Sequence, residues 1–132
     1  MTIWIALTYM PKLRGIIDGT IRQTIRTTTR FKEGDQIAFH GWSGKPYRSP
    51  WSFRTNPFRL VRVDNFIIFP RGIKTEIDID VLPWEHGLCD QLAILDGIVP
   101  EDNETMGQAF GRVINSLNTI PEAGVKAQIL RW

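Results

Sequence analysis

Two hydrophobic periods run along this chain, and the change from one to the other separates a strand-rich first part from a helical last third. "PKLRGIIDG" spaces Leu13, Ile16 and Ile17 on one face, with Pro11 where a first turn tolerates it and Gly19 where a left-handed residue ends a helix. "QTIRT" then alternates, sending Thr24 and Arg26 to one side and Gln23, Ile25 and Thr27 to the other. A turn at Gly34-Asp35 leads into a strand over 36–42, and "FRLVRV", "NFIIF" and "IKTEIDIDV" read as further strands. In the last of these, Ile73, Thr75, Ile77, Ile79 and Val81 face one way and Lys74, Glu76, Asp78 and Asp80 the other, so the acid row reads as the solvated face of a half-buried strand.

Beyond residue 86 the period lengthens. "GLCDQLAILDG" sets Leu88, Leu92 and Leu95 at helical spacing, and "ETMGQAFGRVINSLN" does the same with Met106, Phe110, Val113, Ile114 and Leu117. Gly107 and Gly111 each cost the second helix about 1 kcal/mol against alanine, which is explained if that helix packs closely on a neighbour. "VKAQILRW" reads as a final strand. With no βαβ alternation and no internal repeat, the order predicts an α+β domain: a curled mixed or antiparallel sheet with helices at its ends.

Composition adds little to this. The 132 residues, 42% hydrophobic and 23% charged, suit one soluble domain over 1–132. The lone Cys89 cannot form an internal disulfide, and residues 1–10 have neither the basic start nor the apolar length of a signal peptide. No apolar run nears the roughly 18 residues of a membrane-crossing helix, so the expectation is a cytoplasmic protein with no membrane partner. Charge changes the picture more. Residues 1–74 hold 13 basic and 4 acidic side chains, a net of +9, and residues 75–132 hold 3 basic and 10 acidic, a net of −7. Either the basic half meets a polyanion or the two halves pack as complementary faces of one fold.

Candidate chemistry is sparse. There is no Gly-rich phosphate loop, no Cys/His metal cluster and no H-E-x-x-H, so neither cofactor nor metal is expected. His40 alternates onto the side of Ala38 and Trp42 and reads as a packed strand histidine. Residues 43–57 hold three prolines without a period, a loop longer than compact domains keep idly. In it Lys45, Arg48 and Arg54 interleave with Tyr47, Trp51 and Phe53, the mixture of charge and stacking planes that single-stranded nucleic acid uses. The other reading is that Trp51 and Phe53 plug the end of the fold.

"LRGIIDGTIRQTIRTTTRFKEGDQIAFHGW" resembles the opening of ASCH domains, relatives of the PUA RNA-binding fold, whose signature is a helix ending in Gly, G-x-K-x-x-T-x-R and a K-x-G-D turn before a strand. Gly19, Thr24, Arg26, Lys32, Gly34 and Asp35 match, "LAILDGI" followed by "ETMGQAF" resembles the family's acid-Gly turn between helices, and "QILRW" its closing strand. The resemblance implies a PUA-like β-barrel of about five to six strands with flanking helices, and a cleft between the first motif and the acid-Gly turn. Thr24 and Arg26 would line that cleft, with Asp96 across it as acid or base. Asp96 read without the family is a helix C-terminal turn residue before Gly97. Arg22, Arg26, Arg30, Lys45, Tyr47, Arg48, Trp51 and Arg54 are the candidate nucleic-acid contacts, and Asp96 with Thr24 the candidate catalytic pair.

Three functions are therefore in play: binding of RNA or single-stranded nucleic acid, hydrolysis on the same cleft (of RNA, or of an acetylcytidine-type amide), and protein interaction through the acidic half. One departure bears on the second. The signature's lysine position is Ile21 here, and neither isoleucine nor the neighbouring Arg22 can exchange a proton near neutral pH. Efficient lysine-dependent deacetylation is therefore not expected, and Ile21→Lys is the change that would confer it. Proximity to Arg26 is expected to keep Asp96 ionised.

Overall fold

A computed structural model describes residues 2–7, 12–42, 51–75, 80–117 and 119–132, the side chains of Trp42, Trp51, Ser52 and Leu117 excepted. The elements in order are β1 (Thr2–Ala6), α1 (Leu13–Asp18), β2 (Gln23–Arg26), β3 (Gln36–Trp42), β4 (Trp51–Arg54), β5 (Phe58–Arg59), β6 (Arg62–Phe69), β7 (Gly72–Lys74), β8 (Leu82–Pro83), α2 (Gly87–Leu95), α3 (Met106–Leu117) and β9 (Val125–Arg131). The class is α+β. Among the described residues the strands pair as two sheets that do not close into a barrel: β1-β3-β4 with β5 also on β3, and β2-β9-β6-β7-β8.

The alternation of β9 explains the layering. Leu130 packs with Ile5, Leu7, Ile16, Ile37 and Phe39, while Ala127 and Ile129, on the opposite face, pack with Phe110, Val113 and Ile114 of α3 and Ala93 of α2. The five-stranded sheet is thus the middle layer, with the four-stranded sheet on one face and the helix pair on the other. Gly107 and Gly111 turn to Trp84: a Cβ at Gly107 would strike the Trp84 carbonyl and one at Gly111 its ring. That close approach offsets the loss of helix propensity.

Three strand readings change. The 43–57 segment contains β4, which pairs antiparallel with the end of β3, His40 opposite Arg54. The alternating start of the chain is β1, running parallel to β3 from Thr2 opposite Gln36 to Ala6 opposite His40, and residues 2–6 were not read as a strand above. "FRLVRV" is two strands, because the Leu60 N–H goes to Asp35 on one side of the fold and the Val61 N–H to Arg131 on the other. The chain changes sheet there, and side-chain alternation carries no mark of a change of partner. Most of the predicted acid row (76–79) lies outside the described residues.

Candidate functional site

Among the described residues β2 is an outer strand of the five-stranded sheet. Gln23 shares a face with Arg131, and Thr24 and Arg26 share the other with Leu130 and Gln128. Arg26 crosses between the sheets: its Nη1 donates to the Ala6 carbonyl at 3.0 Å, tying β2 to the end of β1.

Two elements add charge at this edge. Asp96 caps α2, its N–H bonding the Leu92 carbonyl at 3.0 Å, and Gly97 follows at φ 72°, a conformation costly for other residues. From the other side Lys12, immediately before α1, donates from Nζ to Asp96 Oδ1 at 2.9 Å. The ion pair is buried, with 4% of the lysine side chain and 10% of the aspartate side chain accessible. Gln23 stands beside the same carboxylate, donates from Nε2 to the Leu92 carbonyl at 3.3 Å, and accepts from Arg131 Nε at 3.0 Å. Lys12, Gln23, Arg26 and Asp96 therefore form one cluster, with Thr24 buried next to it in sequence.

Burial sets the electrostatics. It raises the Asp96 carboxyl above its ordinary range, against the pull of Lys12, Arg26 and Gln23 in the other direction. It lowers the Lys12 ammonium, with Arg26 adding repulsion and Asp96 opposing. The expectation that proximity to Arg26 keeps Asp96 ionised left out this desolvation, which is the larger influence and acts in the opposite direction. Burial thus disfavours the charged form of each partner, while each charge favours that of the other.

Ile21, at the position of the signature's lysine, is a packing residue. Its side chain wedges between Gly15 of α1 and Gly97, where a Cβ on either glycine would collide with it. The site nevertheless has a lysine, because Lys12 reaches the acid from another element. Nothing in the local pattern marks Lys12 for burial beyond its spacing of four from the buried Ile16, and Gln23 is betrayed only by sharing a face with Ile25.

The other candidates disperse. Arg22 is exposed and turns back to the Gly19 carbonyl at 3.2 Å, and Arg30 is exposed with its guanidinium 4.9 Å above the Phe31 ring. Arg54 is exposed on β4 beside His40, whose buried ring meets Trp4 edge-on at 6.3 Å. Trp51 begins β4, and Lys45, Tyr47 and Arg48 lie outside the described residues. No hydrogen bond joins Thr24 to Asp96. Among the described residues no three His, Cys, Asp or Glu side chains gather as a metal site, and no helix is long and apolar enough to cross a membrane. No protein-family model, curated protein or solved structure matches the chain.

Proposed function

We propose that this chain is an ASCH-type, PUA-like module, cytoplasmic, that binds RNA or single-stranded nucleic acid by holding a nucleobase at the open edge of β2. The observation that carries the reading is the burial of Lys12, Gln23, Thr24 and Asp96 beside Arg26. A buried ion pair adds little stability over apolar packing of equal volume, so a cluster this polar is better accounted for by a ligand than by the fold. Its two cations against one acid favour a ligand rich in carbonyl or phosphate oxygens, and Arg26 offers the fork that such edges accept. The test is a titration with short RNA and DNA strands across a range of salt. Binding that weakens with rising salt and drops about tenfold in Arg26→Ala supports the reading; a flat titration at low salt overturns it.

A second reading, amide hydrolysis on the same cluster, is favoured by Lys12. A proton taken from attacking water by the Lys12–Asp96 pair can be returned to the leaving nitrogen, with Arg26 facing the oxygen that gains charge. The expectation of no lysine-dependent activity rested on Ile21, and Lys12 removes that ground. Turnover of acetylcytidine that is lost in both Lys12→Met and Asp96→Asn would establish it; no turnover by the unmodified protein would leave binding alone.

A further inference from the structure

Away from the cluster, Gly19, Arg22, Pro57, Phe58, Arg59 and Trp132 line a cavity of about 360 Å³. We propose that it takes one nucleoside monophosphate unit, with the base against Phe58 and Trp132 and the phosphate between Arg22 and Arg59.

The two halves of such a ligand meet two different linings. Phe58 and Trp132 are half-buried, their ring centroids 5.4 Å apart with planes 33° from parallel, and Phe39 backs them at 6.3 Å and 5.3 Å respectively. This backing fixes the rings, so stacking a base on their open parts requires little ordering. The Trp132 backbone N–H donates to the Arg22 carbonyl at 3.2 Å, which holds the main chain at Trp132 beside the start of β2.

The charged lining is as distinct. Arg22 and Arg59 are both exposed, and among the described residues neither is ion-paired to an acid and no acid lines the cavity. This contrasts with Arg62, Arg112 and Arg131, which all pair with carboxylates. Arg22 is partly fixed by its Nε bond to the Gly19 carbonyl, leaving its Nη groups to turn towards an anion. Two guanidiniums with no carboxylate partner among the described residues, beside a rigid aromatic floor, match a phosphate joined to a flat base, and the volume is at the small end for ligand pockets, suited to one nucleotide.

The site shares no residue with the Lys12–Asp96 cluster, so the two readings fail separately. The test follows the Trp132 indole N–H resonance of the full chain, assigned with Trp132→Phe, during titration with adenosine monophosphate, adenosine, inorganic phosphate and a short oligoadenylate. Expected is a saturable shift with the monophosphate, about tenfold weaker for adenosine or phosphate alone and about tenfold weaker in Arg22→Ala/Arg59→Ala. If the alanine pair unfolds the chain, Arg22→Lys/Arg59→Lys keeps the charge and loses the fork, with an intermediate weakening expected. Tighter binding of the oligoadenylate than of the monophosphate identifies a strand as the source; equal affinity identifies the free nucleotide. A Trp132 resonance that moves with neither, or moves equally in both arginine variants, overturns the proposal. Arg26→Ala, which tests the cluster, leaves this shift in place.

Discussion

Two ion-pair regions of this molecule have almost the same geometry and opposite meaning. Lys12 meets Asp96 at 2.9 Å inside the fold, and Arg112 meets Glu104 at 3.0 Å and Glu101 at 3.4 Å on the surface. The Glu101–Glu104–Arg112 group joins the turn before α3 to that helix, and solvent reaches all three side chains. Its charges stay in contact with solvent and gain little from meeting. The inner pair has given up its hydration and depends on partner geometry for what it recovers. Distance alone does not distinguish the two; desolvation does.

Removing one inner partner breaks the comparison most sharply. Lys12→Met leaves the Asp96 carboxylate buried without its cation and is expected to cost about 3–5 kcal/mol, read from denaturant unfolding. Replacing both partners, Lys12→Met/Asp96→Leu, is expected to fall within about 1 kcal/mol of the parent or to be more stable. Loss of nucleic-acid binding in that stable double variant would separate the pair's work from the fold's need. A double variant as unstable as the single one would mean that the pair is structural.

Acidity gives a smaller effect with a defined sign. The folded Asp96 holds its proton more tightly than the unfolded chain, so its contribution to stability is greatest at low pH and declines as pH climbs from the ordinary 3.8 towards the raised value. The folded Lys12 releases its proton more readily, so its contribution recovers as pH rises from the lowered value towards 10.5. The pair therefore imposes a trough of stability between those two limits. Thermal unfolding followed across pH should show the trough in the parent and a flatter profile in Lys12→Met/Asp96→Leu.

The surface group supplies the smallest effect. Arg112→Gln is expected to cost less than about 1 kcal/mol, and high salt should erase most of the difference. A larger, salt-resistant loss would show that the outer group carries more than its exposure allows.

These contrasts also show how far the sequence could be read. Helices α1 and α2 were legible because Gly19 and Gly97 mark their ends, and α3 because Phe110, Val113 and Ile114 share one buried face; the stripes read for α1 and α2 were only partly right, since Ile17, Leu88 and Leu95 are exposed while Ile16, Cys89 and Ala93 are buried. The alternation of β2 assigned Thr24 and Arg26 to one face and Gln23 and Ile25 to the other, as the register with β9 has it. What remained hidden depends on partners distant in the chain. The parallel pairing of β1 and the sheet change at Leu60–Val61 are choices of neighbour, which period does not encode. The burial of Lys12 is hidden for the same reason, since the acid that holds it lies 84 residues away.

The placement of β9 between β2 and β6 has a kinetic side. Arg26 pairs with Gln128 and Phe31 bonds to the same glutamine, contacts that span about a hundred residues of chain. Until Val125–Arg131 arrives, β2 and the neighbouring edge of β6 have no strand to join, and the faces of both cores carried by Ala127, Ile129 and Leu130 are missing. Refolding should therefore be rate-limited by this single long-range insertion, on the milliseconds-to-seconds scale of sheet-dominated topologies. While it is pending, the two bare edges are open to pairing with other chains, and crowded refolding should lose material to aggregation in proportion to that delay.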